Sequence, residues 1–226
     1  MRLLCMVTSA LALVASATAA SATVVDPADD FIPTYTGPQN GDVDILSGDV
    51  AFDGTSYFLT STQNGDIGAT AGSIFVWGVN RGSGAPRLTF GTPSVGAGIL
   101  FDAVIVMFPD GTLRVVTIPL AGAPTINVIA GGTDVLGDTL SATVSLALLG
   151  SMGFAPEDHT FSLWSRTRVN PALDGTNAEI ADFLPSSMVA RTVPEPATWL
   201  SMLMGFGVIG SAMRRSRKAR PATELA

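Results

Sequence analysis

The chain has 226 residues, of which 47% are hydrophobic and 14% charged, and its formal net charge is −7. Between an N-terminal and a C-terminal apolar segment lie about 170 residues, enough for one domain with a hydrophobic core. This middle part holds 17 acidic and six basic residues, and the resulting charge of −11 argues against nucleic acid or anionic lipid as a partner.

Residues 1–22 have the pattern of a secretory signal peptide. Arg2 precedes the apolar run Leu3–Val14, and small residues with A-x-A spacing follow up to Ala22. The general secretion machinery is therefore an expected partner. Cys5, the only cysteine, lies inside the segment to be removed, so the mature chain has no disulfide and depends on an ordinary core.

Residues 23–40 are rich in Asp, Pro, Thr and Gly and predict an irregular lead-in, and residues 41–190 follow as the exported domain. That domain shows short β-strands separated by turn signals. The predicted strands are Asp42–Phe52, Thr55–Thr62, Ser73–Asn80, Ile99–Phe108, Thr112–Ile118, Thr125–Ala130, Thr139–Leu149, Thr160–Val169 and Ala178–Leu184.

Two turns have a clear mechanism. Asp53-Gly54 and Pro109-Asp110-Gly111 join predicted strands, with proline setting φ and glycine accepting a positive φ. Thr139–Leu149 alternates apolar and polar residues, which is typical of an antiparallel sheet with one buried face. Since no amphipathic helix is evident between residues 40 and 185, eight to ten strands predict an all-β, antiparallel β-sandwich.

Three short phrases resemble carbohydrate-binding-module and DOMON-like sandwiches. They are Gly41–Ile45, Phe52–Thr55 and Ile180–Phe183. The resemblance implies a sandwich fold, and a fold alone does not determine a function.

The domain offers little of the chemistry that catalysis needs. His159 is its only histidine, and no nucleophile–base motif is present, so we expect no enzymatic activity. A hydrolase would require a pocket around His159 in which carboxylates converge. The ordinary alternative is that His159 simply opens a strand.

Acidic residues form several groups along the chain that could hold Ca²⁺, which takes six to eight oxygen ligands. Asp42 and Asp44 would lie on one side of a strand, where both could bind one ion. Solvated acidic loops are the alternative, and no other cofactor is expected. The groups are Asp26, Asp29 and Asp30; Asp42, Asp44, Asp49 and Asp53; and Asp134 and Asp138.

Trp77 and Trp164 lie in the middle of predicted strands. With Tyr35 or Tyr57 they would form a platform for stacking against sugar rings. Aromatic residues at this spacing more often belong to a core, and the strand around Trp77 is apolar on both faces. Sugar stacking and core packing therefore remain as two interpretations.

The C-terminal segment combines a tripeptide, an apolar run and a basic cluster. Pro194-Glu195-Pro196 precedes residues 197–213, which carry no charge and would span about 26 Å as a helix. Basic residues follow in 214–220, and 221–226 form a short tail. The pattern predicts a transmembrane helix in the inner membrane with its C-terminus in the cytoplasm. A plain C-terminal membrane anchor is the alternative.

This segment resembles a known sorting signal. The residues that carry the resemblance are Pro194, Glu195, Pro196, Trp199, Met202, Gly205, Phe206, Gly207, Gly210, Arg214 and Arg215. They are similar to the tryptophan-containing variant of the PEP-CTERM signal of Gram-negative bacteria that make exopolysaccharide. The resemblance implies export, transient anchoring and recognition of the tripeptide by an exosortase.

Together these features predict an exported, non-enzymatic protein of the envelope or extracellular matrix, associated with exopolysaccharide and released after sorting. The alternative is a carbohydrate-binding surface module that stays anchored in the membrane. That alternative needs exposed aromatic rings grouped on one face of a sheet or at loop tips.

Overall fold

The computed structural model describes residues 23–86, 96, 98–168, 177–193, 204–207, 209–210 and 214. The domain in these residues is built from β-strands joined by turns and 3₁₀ turns. In chain order the strands are β1 (Val24–Val25), β2 (Ile45–Phe52), β3 (Ser56–Gln63), β4 (Ser73–Asn80), β5 (Ala85–Pro86), β6 (Leu100–Phe101), β7 (Ala103–Met107), β8 (Leu113–Thr117), β9 (Thr125–Ile129), β10 (Asp134–Leu136), β11 (Thr139–Ser145), β12 (Thr160–Thr167), β13 (Ile180–Phe183), β14 (Met188–Val189) and β15 (Arg191–Thr192).

The strands form two large sheets and one small pair. The first sheet has the order β1-β2-β3-β11-β10, and β15 also pairs with β2. The second has the order β13-β12-β4-β7-β8-β9, and β14 also pairs with β12; β5 and β6 pair separately. Every pairing is antiparallel except that of β15 with β2, which is parallel.

One hydrophobic core joins the two large sheets. Leu59 and Leu140 of the first sheet share a buried cluster with Trp77, Ile105 and Leu163 of the second. The sheets approach closely at Gly48, where a Cβ atom would lie 3.1 Å from the Cη2 atom of Trp77. The domain therefore has the predicted two-layer, antiparallel β architecture.

Both turns with a clear mechanism are confirmed. Gly54 and Gly111 adopt φ angles of 95° and 85°, which a side chain with a Cβ rarely tolerates. The Asp53 Oδ1 atom accepts hydrogen bonds from the backbone N–H groups of Thr55 and Ser56, both at 2.8 Å. These local bonds fix the β2–β3 hairpin and hence the register of the first sheet.

Several predicted elements differ from the structure. Residues 41–43 form a 3₁₀ turn, so the strand predicted from Asp42 begins at Ile45. The strand predicted over Ile99–Phe108 is interrupted at Asp102, whose carboxylate accepts bonds from Arg81. The predicted strand Thr139–Leu149 ends in a 3₁₀ turn at residues 146–148, and the lead-in contains the short strand β1.

Candidate functional site

The last strand of the domain lies just before the predicted sorting tripeptide in the chain. β15 lies parallel to β2, with Arg191 opposite Ala51 and Thr192 opposite Phe52. The Val193 N–H group donates to the Phe52 carbonyl at 2.8 Å. Pro194 therefore follows directly after a strand that is hydrogen-bonded to the first sheet.

Most of the predicted sorting residues lie outside the described residues: Pro194, Glu195, Pro196, Trp199 and Arg215. Residues 204–207, 209–210 and 214 are helical and exposed, and they include Gly205, Gly207 and Arg214.

In the described part of the chain, no helix has the length and apolar character needed to cross a membrane. The predicted span of residues 197–213 and the predicted signal peptide of residues 1–22 lie largely or wholly outside that part and stay predictions.

Trp77 and Trp164 both lie in the interior. Trp77 is 0% exposed within the core between the sheets, and Trp164 is 3% exposed on the other face of the second sheet. Phe101 and Phe183 cover Trp164, with ring centroids at 5.8 and 5.7 Å. Tyr35 and Tyr57 are buried as well. Sugar stacking needs an exposed ring face, which none of these four residues offers, so the core interpretation accounts for them.

The structure places Asp42 and Asp44 in a tight turn and gives them different partners. Both oxygens of Asp42 accept hydrogen bonds from Thr70, one from its N–H group at 2.7 Å and one from its hydroxyl at 2.5 Å. Asp44 Oδ2 accepts from the Asp29 N–H group at 2.8 Å and from the Asn64 side chain at 2.9 Å. The arrangement predicted for these two carboxylates, side by side on one strand, is therefore wrong.

A different group of carboxylates converges nearby. One oxygen each of Asp26, Asp30 and Asp182 lies within 4.8 Å of the other two. The lead-in supplies two of these residues, and β13 of the second sheet supplies the third. β1 holds the lead-in in place, because Val24 and Val25 pair with Gly48 and Ser47 of β2.

Backbone hydrogen bonds orient Asp182. Its Oδ2 atom accepts from the Ile45 N–H group at 2.8 Å, and its Oδ1 atom accepts from the Phe183 N–H group at 2.7 Å. Burial raises the pKa of Asp182 to about 7, against the effect of the Ile45 hydrogen bond and with a further contribution from the charge of Asp26. The pKa of Asp26 is raised to about 6, first by burial and then by the charges of Asp30 and Asp44.

In the sequence, Asp26 and Asp30 stand out as acidic loop residues, but nothing connects them with Asp182. The signal was present only in part. Asp182 interrupts the apolar strand predicted over Ala178–Leu184, of which Ile180–Phe183 is a strand in the structure and Asn177–Glu179 is a 3₁₀ turn. A charged residue in a buried strand indicates a specific partner. The identity of that partner depends on long-range contacts that no local pattern contains.

His159 is 0% exposed and forms part of a hydrogen-bonded core. The Tyr57 hydroxyl oxygen lies 2.8 Å from the Pro156 carbonyl oxygen and 2.8 Å from the Nδ1 atom of His159, whose donor or acceptor role depends on the tautomer. Among the described residues, the Nε2 atom of His159 is buried without a hydrogen-bond partner. Burial, followed by the charge of Arg81, lowers the pKa of His159.

Comparison with known proteins assigns the C-terminal segment. Residues 192–218 match a family model described as the PEP-CTERM protein-sorting motif. No curated protein and no solved structure matches the chain. The match leaves residues 23–191 without an assignment, but it confirms the resemblance seen in the C-terminal sequence. The chain is therefore a protein with a C-terminal PEP-CTERM sorting motif, which implies export and processing by an exosortase.

Proposed function

We propose that the chain is an exported, non-enzymatic component of the envelope or extracellular matrix that associates with exopolysaccharide. In this proposal the C-terminal helix anchors the protein in the inner membrane until an exosortase acts at Pro194-Glu195-Pro196, and the β domain is then released. The observation that carries the proposal is the match of residues 192–218 to the sorting motif.

The geometry at the end of the domain supports processing at this point. β15 and Val193 are hydrogen-bonded to β2, and Pro194 is the next residue in the sequence. A cut in the tripeptide would therefore leave the strand pairings of residues 23–193 intact. A cut before β15 would remove a strand from the edge of the first sheet.

The non-enzymatic part of the proposal is supported by the state of His159. This residue, the only histidine in the chain, is buried and hydrogen-bonded to Tyr57. General acid–base catalysis requires a group within hydrogen-bond reach of a substrate, and His159 has no exposed surface. The expectation of an exopolysaccharide association comes from the sorting motif and not from a sugar site in the domain.

The test is the intact mass of the protein from the membrane fraction and from the medium of a host with an exosortase. We expect the species in the medium to lack residues 197–226. Glu195→Ala should remain in the membrane with its C-terminus intact. Glu224→Ala, which removes a carboxylate beyond the matched residues, should be processed like the wild type.

Two results would contradict the proposal. One is a wild-type protein that keeps residues 197–226 in the membrane, which would indicate the plain anchored module instead. The other is equal processing of the wild type and Glu195→Ala, which would show that the tripeptide does not direct the cut.

A further inference from the structure

The spacing of the three clustered carboxylates fits a single metal ion. Ca²⁺ binds oxygen at about 2.3–2.6 Å, so two ligands on opposite sides of one ion are about 4.6–5.2 Å apart. The oxygens of Asp26, Asp30 and Asp182 lie within 4.8 Å of one another. Each of these oxygens can therefore contact a common ion without a large movement of the backbone.

Asp44, which lies beside the cluster, gives a second observation that points to a missing ligand. Asp44 is 0% exposed, and its Oδ1 atom is buried with no hydrogen-bond partner. Its Oδ2 atom is held by the N–H group of Asp29, within the turn that carries Asp26 and Asp30. Its charge acts on Asp26, whose Oδ2 atom is also buried without a partner. Two buried carboxylate oxygens thus have unused acceptor capacity beside the cluster, and a buried anionic oxygen without a partner is costly.

The described residues provide no positive charge to compensate these carboxylates. The ion pairs seen in this part of the chain are Arg81–Asp102, Arg166–Glu179 and Arg191–Asp49, and none of them includes a member of the cluster. Asp182 is 2% exposed, so water cannot screen its charge effectively. The three clustered carboxylates, with Asp44 beside them, therefore require either protons or a cation.

We propose that Asp26, Asp30 and Asp182 bind one Ca²⁺ ion beside the buried Asp44. All three ligands are carboxylate oxygens, the donors that hard cations prefer, and no nitrogen or sulfur ligand accompanies them in the cluster. Backbone carbonyls or water would complete the six to eight ligands that Ca²⁺ takes. Mg²⁺ fits less well because it demands near-octahedral geometry and retains several waters.

The ion would fasten together two segments that are distant in sequence. Asp26 and Asp30 belong to the lead-in, and Asp182 lies in β13 of the second sheet. In a chain without disulfides, this link would tie the N-terminal segment to the second sheet. Extracellular modules bind Ca²⁺ with dissociation constants of about 10⁻⁴–10⁻³ M. If the protein is exported as proposed above, the site would fill only after export.

The test uses the full-length chain, purified in detergent and freed of metal with EDTA. Calorimetric titration with CaCl₂ should give one site per chain with a dissociation constant of about 10⁻⁴–10⁻³ M. Saturating Ca²⁺ should raise the Tm, and Mg²⁺ at the same concentration should raise it less. This binding does not depend on sorting, so its failure would leave the proposed function untouched.

Two variants separate a specific site from general surface charge. Asp30 is exposed, so Asp30→Asn should fold, and we expect it to weaken Ca²⁺ binding at least tenfold, on the order of one lost carboxylate ligand. Asp134→Asn removes an equally exposed carboxylate from β10 and should bind like the wild type. The proposal is overturned if wild-type protein binds no Ca²⁺ up to about 10 mM, tenfold above the weakest such modules. Equal affinities of the two variants, or an equal response to Mg²⁺, would also overturn it.

Discussion

Negative charge at two places in this domain is compensated in different ways. Asp102, which lies between β6 and β7, accepts a hydrogen bond from the Arg81 Nε–H group at 2.7 Å. It also accepts from the N–H groups of Arg81 and Ser83 and from the Ser83 hydroxyl. The carboxylates of Asp26, Asp30 and Asp182 and the neighbouring Asp44 have no ion pair with a basic side chain among the described residues, although Asp44 and Asp182 accept backbone and amide hydrogen bonds.

The difference shows how a fold can accommodate buried negative charge. At Asp102 the compensating charge is part of the chain, so the site is complete after folding alone. At the cluster of Asp26, Asp30 and Asp182 the compensation has to come from outside the chain, either as protons or as a cation. In this proposal, the carboxylates that have no opposite charge in the folded domain are the ligands of a Ca²⁺ ion.

The largest loss of stability is expected when the buried Arg81–Asp102 ion pair is broken. Asp102→Asn leaves the Arg81 guanidinium buried without an opposite charge, because the two side chains are only 6% and 1% exposed. We expect a loss of about 3–5 kcal/mol in the free energy of unfolding. Denaturation with urea, followed by the fluorescence of the buried tryptophans, measures this loss.

The matched control is the exposed pair of Arg191 and Asp49. Their side chains are 44% and 24% exposed, and the Nη2–Oδ2 distance is 2.9 Å. Asp49→Asn should cost less than about 1 kcal/mol, since solvent screens the pair. If Asp102→Asn and Asp49→Asn lowered the free energy of unfolding equally, burial would not determine how much an ion pair contributes to the stability of this domain.

A smaller effect concerns His159, which the charge of Arg81 also reaches. Burial, and then Arg81, lower its pKa below the ordinary value of about 6.5. The folded state therefore disfavours protonation, and the stability from neutral His159 is present above the unfolded pKa. That stability is lost as the pH falls through the lower, folded pKa.

NMR titration of the His159 ring measures this pKa without overlap, because the chain has a single histidine. The same chain unfolded in urea is the control and should titrate near 6.5. A folded pKa equal to or above the unfolded one would show that neither burial nor Arg81 acts on the ring as described.

The turns and the strand that the sequence predicts correctly depend on interactions between residues close together in the chain. The turns at Asp53-Gly54 and Pro109-Asp110-Gly111 depend on side-chain and backbone preferences within four residues, and both are confirmed. The strand Ser73–Asn80 is also confirmed with its predicted bounds, because apolar residues on both of its faces indicate burial on both sides.

The missed features depend on contacts between distant residues. Asp42 and Val43 alternate like a strand, yet the hydrogen bonds from Thr70 to Asp42 hold the segment in a 3₁₀ turn. The candidate site was found only in part for the same reason. Asp26 and Asp30 are visible as acidic residues in the lead-in, but their meeting with Asp182 requires β13 to lie beside the start of β2.

The most direct test of the proposed Ca²⁺ site is to locate the bound ion in a crystal structure. Crystals of the protein grown with Ca²⁺ should be measured by anomalous diffraction that identifies calcium. The account predicts a peak about 2.3–2.6 Å from oxygens of Asp26, Asp30 and Asp182. A map with no calcium peak among these three carboxylates, at saturating Ca²⁺, would contradict it and indicate that protons alone neutralise the cluster.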